Sequence, residues 1–462
     1  MKNKRKITII SLVVLNIIAY GAYFALSYAN KLSSSADKSI YVSSTHLGDI
    51  NRISCTNSDG TFTFEKQNDK WSCTDVKDFQ VSQKIVDDLA EKSANLVATR
   101  KVDSNGNLTD FGLDSPQFKI TLADTDGKSV TYDIGNLNSD IRKYYVKCDD
   151  SKDVYLIKSN YGDHIIRKLK AYSAPYDLSA IEKSSVSKIT ISDANNELLS
   201  IIKGKKDSNS PLGSDSEWKF GSVFSNDTNV NTYKVDSLWD KLNDAASSDC
   251  AAFDIDNQKL KKYGLVAPKE KITIDYSADT GNKSFTLSVS KENDDGSAYV
   301  MFSDSNVIGL AKSDTVKSLL GYLDAYNILP QSICAAKLKM ISGLTVTYNG
   351  KTYDYSIKTA NGKNTYTLNN AECNAENFEA FYRKLSALDS ESHTTDGSTA
   401  SAAEEGSIIA VYHPSNTSYS DLKIVLSPYN SDYYIASFNG IDGRLVNKKS
   451  VETVISLLQN AK

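Results

Sequence analysis

Proline, histidine and tryptophan are scarce in this 462-residue chain, which has 7, 4 and 3 of them. The histidines (His46, His164, His393, His413) show no HxxxH or His-Cys spacing, and the six cysteines include no CxxC pair. Zinc sites and dithiol redox motifs are therefore excluded. GxSxG, Walker and GxGxxG loops are also missing, which removes the common hydrolase and nucleotide chemistries. Ser185-Val186-Ser187-Lys188 has an SxxK spacing, but it runs straight into an alternating strand pattern and no Lys-Thr-Gly triplet accompanies it. No catalytic residue, cofactor or metal ligand is assigned, and the expectation is a protein that is not an enzyme.

What is present is ordinary for a folded protein, at 40% hydrophobic and 24% charged residues, so neither wholesale disorder nor a polytopic membrane protein fits. At roughly 150 residues per domain the length allows about three domains. Charge is unevenly placed. Lys2, Lys4, Arg5 and Lys6 precede any acid, the first of which is Asp37, and the net charge of the whole is −4. An acidic body argues against nucleic acid as a partner.

Ile7 to Asn30 is a 24-residue run without a charge, and about 20 apolar residues cross a bilayer as a helix. The basic cluster stays cytoplasmic under the positive-inside rule, while Tyr20, Tyr23 and Tyr28 suit the far interface. The reading is a cytoplasmic tail over 1–6, a transmembrane helix over 7–29 that contacts the bilayer, a linker over 30–48, and an extracytoplasmic remainder in the cell envelope. Ser27-Tyr28-Ala29 leaves cleavage as a signal peptide open. In such a compartment the six cysteines are too few and too irregular for a disulfide framework, and one bridge, Cys55 to Cys73, is the pairing considered.

The remainder repeats. Asp110-Phe111-Gly112-Leu113-Asp114-Ser115-Pro116 returns as Lys262-Tyr263-Gly264-Leu265-Val266-Ala267-Pro268, Lys143-Tyr144-Tyr145-Val146 returns as Ala298-Tyr299-Val300, and Ala171-Tyr172 returns as Ala325-Tyr326. Three landmarks at offsets of 152 to 154 residues indicate duplication. A third, degenerate copy starts after Pro330, with Gly343-Leu344-Thr345-Val346-Thr347 as its first strand and Asp432-Tyr433-Tyr434-Ile435 late in it; the Gly-Leu-x-x-Pro element is replaced by the polar run Ser390 to Ser407, read as a flexible loop over 390–407. The modules span 49–172, 173–330 and 331–462.

Each copy has the same order of periodicities. Alternating strands such as Thr61–Glu65, after a Ser58-Asp59-Gly60 turn, predict a hairpin. An amphipathic helix follows, carrying Val81, Ile85, Val86 and Leu89, then Val235, Leu238, Trp239 and Leu242, then Phe378, Phe381, Tyr382, Leu385 and Leu388. More strand pairs come next, with Asp126-Gly127 and Asp295-Gly296 as tight turns rather than calcium loops. A short helix with Ser159, Ser313 or Ser450 as its cap closes each copy. The fold class is α+β, with three tandem β-rich modules, each a helix packed on antiparallel strands.

With (Phe/Tyr)-Gly-Leu-x-x-Pro twice in register, a Tyr-Tyr-Val strand and a tryptophan (Trp71, Trp218) before the first helix, the chain resembles a bacterial family known only as domain of unknown function 4340. The resemblance covers nearly the whole region after the anchor. It implies an accessory role beside ABC transporters of the gliding-motility type, near which such members are typically encoded, and it supplies no catalytic residues. The expected function is a non-enzymatic, membrane-anchored accessory or interaction protein, with transporter subunits as partners. The alternative is a surface protein that binds cell-wall glycan. That alternative rests on tyrosine, 27 in all, and on Tyr412, Tyr419, Tyr429, Tyr433 and Tyr434 of the third copy as candidate binding residues, because tyrosine favours surfaces that are apolar at one end and wet at the other.

Overall fold

The computed structural model describes residues 40–149, 151–212, 217–225, 228–360 and 363–460. The expected membrane segment 7–29 lies outside them. Among the described residues no helix is long and apolar enough to cross a membrane.

Three large antiparallel sheets share one strand order. In the first, Lys70–Cys73, Gly60–Gln67, Ile50–Asn57, Phe118–Asp124, Ser129–Asn138, Lys143–Cys148, Val154–Lys158 and Arg100–Val102 lie side by side. The second repeats this with Trp218–Phe220, Glu197–Lys203, Val186–Ser192, Glu270–Ala278, Gly281–Val289, Ala298–Phe302, Val307–Ala311 and Asp249–Phe253. The third does so with Lys363–Leu368, Lys351–Ala360, Ile341–Tyr348, Ile408–Pro414, Leu422–Pro428, Tyr433–Phe438, Ile441–Asn447 and Ser390–His393, plus a two-residue edge strand, Ala371–Glu372. In every copy a strand that follows the first helix, Arg100–Val102, Asp249–Phe253 or Ser390–His393, crosses to the far edge and pairs with the last strand; in the first copy Val97–Ala98 precedes it and pairs with Ile40–Tyr41.

The period-2 pattern determines which face is buried. Phe118, Ile120 and Leu122 alternate inward, and Phe62 and Phe64 pack on Tyr172 at ring distances of 5.8 and 5.0 Å. Helix Gln83–Ala94 buries Val86, Leu89 and Ala90. It is joined to the preceding strand because Gln83 Oε1 accepts from Trp71 N (2.7 Å), Gln83 Nε2 donates to Trp71 O (3.0 Å), and the Trp71 indole donates to Asp87 (2.8 Å). Helices Thr232–Ala246 and Ala375–Ser386 bury Val235, Leu238 and Leu242, and Phe378, Phe381, Tyr382 and Leu385. These are the faces that the 3.6-residue period marks.

Several expectations need correction. Ser159 and Ser313 are first helical residues, not caps: each preceding strand runs straight into its helix, so Lys158 and Lys312 take the cap position without a side-chain bond. The third such helix starts earlier, at Lys448, where the Asn447 side chain accepts from Lys449 N at 3.0 Å. Asp126-Gly127 does turn between consecutive strands, Gly127 having φ +82°. Asp295-Gly296 lies one hairpin later; the true counterpart is at Gly281, φ +108°. Cys55 and Cys73 are not bonded. Cys55 pairs with Phe62 and Cys73 with Phe64, so a whole strand lies between them. Two strand spacings, about 9.5 Å, exceed the Cα separation of about 7 Å that a disulfide bridges.

The run 390–407 is not a structureless loop. Ser390–His393 is an edge strand on Ile441–Asn447. Beyond it, Ser401 N donates to Ser427 Oγ (3.1 Å) and Ser407 Oγ to Ser401 O (2.8 Å). By register Ser427 follows Leu426, the partner of Ile408, as Gly135 follows Ile134, the partner of Phe118. The polar run thus occupies the place where the first copy docks its Gly-Leu-x-x-Pro element, held by hydrogen bonds instead of an inserted leucine.

The chain divides into two compact units, one ending at Ala174 and one beginning at Pro175. The second holds both the second and third sheets, and Ile441 of the third module belongs to the hydrophobic core of the second.

Candidate binding cleft between the second and third modules

Within the second unit, the connection from the short helix Ala325–Ile328 into the third sheet passes a polar cleft of about 320 Å³ whose walls include Asn231, Lys234, Asn327, Gln331, Glu391 and His393. Its floor is a clamp. Arg444, on an inward position of Ile441–Asn447 and only 4% exposed, donates to the carbonyls of Pro330 (2.6 Å), Gln331 (2.8 Å) and Ser332 (3.2 Å). Burial pulls the Arg444 guanidinium down to about 10, against the attraction of Asp389. The cation remains charged at neutral pH and donates to three carbonyls where the chain crosses between sheets, of which Gln331 O also accepts from Ser390 N at 2.8 Å.

A second contact lies beside it. Tyr326 stacks flat on His393, with centroids 4.6 Å apart and planes 8° apart, and its hydroxyl donates to Asp442 O at 2.9 Å. His393 Nε2 faces Asp324 Oδ2 at 3.0 Å. Farther along the same junction, the Tyr419 hydroxyl donates to Asp207 Oδ2 (2.6 Å) and Lys337 N to Pro211 O (2.8 Å).

The five candidate tyrosines do not share a face. Tyr412 is fully buried against Tyr382, 6.1 Å between centroids, and Tyr434 is buried in its strand. They belong to the core, because their strand positions point inward. Tyr419 is engaged by Asp207, which as a hydrogen-bonding anion raises its hydroxyl above the usual phenol range. The Tyr433 hydroxyl bonds Glu391. Tyr429, 38% exposed, reaches Asp396 at 3.4 Å. The glycan-binding surface expected from them is not assembled.

One constellation has the outline of catalysis. Thr345 Oγ1, His413 Nε2 (3.0 Å apart), His413 Nδ1 and Asp421 (3.1 Å) stand in the order nucleophile, base, orienting carboxylate. Thr345, however, donates its proton to Asp354 at 2.9 Å. The Thr345 hydroxyl thus has a carboxylate acceptor that competes with His413 for its single proton. Lys188 of the SxxK spacing lies in the strand Val186–Ser192, with Ser185 just before it, so the two are not one helical turn apart. Among the described residues no three His, Cys, Asp or Glu side chains gather as a metal site.

The clamp leaves one trace in the sequence: an arginine on the inward phase of a strand whose other buried side chains, Ile441 and Val446, are apolar requires buried partners. His393 lies inside the polar run 390–407, whose composition does not mark it.

Three copies of one helix-covered antiparallel sheet, the last two tied through a buried arginine, define a β-rich tandem-repeat protein. The chain belongs to the family described as Domain of unknown function (DUF4340), whose model matches residues 71–223 and 218–406. Each match begins at the tryptophan strand, Trp71 or Trp218, and runs on past the end of its own sheet. No curated protein and no solved structure matches the chain.

Proposed function

We propose that the chain is a membrane-anchored, extracytoplasmic accessory protein that works beside an ABC transporter of the gliding-motility type and performs no chemistry itself. The observation that carries this reading is the uncharged run Ile7 to Asn30 behind Lys2, Lys4, Arg5 and Lys6, at the head of a chain built from tandem modules. Two features support the role of a spacer and contact body over that of an enzyme. The junction side chains are used in holding one module to the next, and the Thr345 hydroxyl, lined up with His413 and Asp421, donates to Asp354.

Purification of the full-length chain from its own membranes in mild detergent tests the proposal. Transporter permease or ATPase subunits are expected to co-purify in near-equal amount. A chain recovered without them, and retained on purified cell wall, contradicts it.

A further inference from the structure

Glu270 opens the central strand of the second module and is 0% exposed. Both carboxyl oxygens lack a hydrogen-bond partner among the described residues. The same register position, first in the strand after the Gly-Leu-x-x-Pro element or its replacement, holds Phe118 in the first copy and Ile408 in the third, each fully buried. Glu270 pairs with Val289 as those residues pair with Ile134 and Leu426. One copy therefore places an acid where its two siblings place hydrocarbon.

The surroundings offer that acid little. Lys269, its chain neighbour, is the cation whose field reaches it, and this only partly offsets a burial that pushes the carboxyl up to about 8. From the turn Gly321–Leu323, Tyr322 feels the charge of Glu270, but its hydroxyl donates to Lys234 O at 2.5 Å. On the partner side, Ser290 Oγ donates to Lys291 O and accepts from Tyr299 N. Helix Thr232–Ala246 carries Lys234 and Asp240, and helix Ser313–Leu320 carries Asp314 and Lys317, all exposed to water. An unpaired buried carboxylate is far costlier than the neutral acid.

We infer that Glu270 is a proton-operated latch, around whose neutral carboxylic acid the second module closes and whose ionised form opens that end of the sheet to water. The folded state binds this proton more tightly than the unfolded chain does. The stability it contributes is complete below the ordinary carboxyl range and drains away as pH rises toward about 8. An extracytoplasmic module would thereby loosen with external alkalinity while its siblings, with Phe118 and Ile408, would not.

Hydrogen exchange of the full-length chain from pH 5 to 9, with labelling times scaled for the intrinsic rate, tests this. In 270–289 the opening constant should climb by up to tenfold per pH unit, while 118–134 and 408–426 stay level. Glu270→Gln, and Glu270→Leu as a copy of the siblings, should flatten the profile. A level wild-type profile over 270–289, or a slope that persists in either folded variant, overturns the latch.

Discussion

Replacing Arg444 with methionine should separate the third module from the second. Methionine fills a similar volume, but the carbonyls of Pro330, Gln331 and Ser332 lose their shared donor. Each charge-assisted bond is worth about 1.5–3 kcal/mol. Removing the cation also removes its own burial cost, so the net loss is smaller than the sum, at about 3 kcal/mol. That corresponds to roughly a hundredfold faster exchange of the amides beside the clamp, where the chain enters the third module, Ile333 N to Leu388 O and Ser390 N to Gln331 O, both 2.8 Å in the intact protein. Hydrogen exchange resolved to these peptides reads the effect. Unchanged protection there would show that Tyr326, His393 and Asp442 hold the junction without the arginine.

The second large effect is expected at glycines of the Gly-Leu-x-x-Pro element and the strand beneath it. A side chain at Gly135 would run into the carbonyl oxygen of Phe111, a backbone atom that cannot step aside. Gly135→Val should cost about 4 kcal/mol or more, near the upper end of single substitutions. Gly112 has φ +67° and its Cβ would meet the Asn136 side chain at 2.5 Å, whereas Gly264 has φ +71° and its nearest neighbour is Ser290 Cβ at 3.6 Å. Strain alone applies at Gly264→Val, about 1–2 kcal/mol, and strain plus crowding at Gly112→Val, about 2–3 kcal/mol. Urea unfolding followed through Trp71, the first module's single tryptophan, with Trp218 and Trp239 replaced by phenylalanine, ranks the two first-module variants. The second module is followed through the latter pair. Equal costs at Gly112 and Gly264 would show that the contact with Asn136 is irrelevant.

The parts of this fold that were legible in the sequence are those written locally. Phe62 and Phe64 share a face because strands repeat every two residues, and Phe378, Phe381, Tyr382 and Leu385 do so because helices turn every 3.6. Gly112 and Gly264, each followed by Leu-x-x-Pro, both take the left-handed backbone position that glycine permits. Pairing between distant segments was not legible. Nothing near Arg100–Val102 states that it crosses the sheet to lie beside Val154–Lys158. The Arg444 clamp closes over a sequence separation of 114 residues. Polar composition misled in the run 390–407, because an edge strand pairs through its backbone and serines satisfy one another, as Ser401, Ser407 and Ser427 do. Tyrosine abundance misled in the opposite direction. Tyr412 and Tyr434 point into the core, and the ring area that suggested a sugar platform is buried there.

The two units decide where the chain can be shortened. Ending the chain near residue 335 would strip Ile441 from the second module's core and leave Tyr326 without its stacking partner. Ending it after Ala174 leaves a compact unit whole.

Pulsed hydrogen exchange across a urea series tests most directly whether three copies of one topology make two folding bodies. Labelled peptides from 176–330 and from 331–460 should lose protection at one shared midpoint, with 49–172 following its own. Separate midpoints for the second and third modules in the wild-type chain would contradict the clamp as the bond that makes them one body.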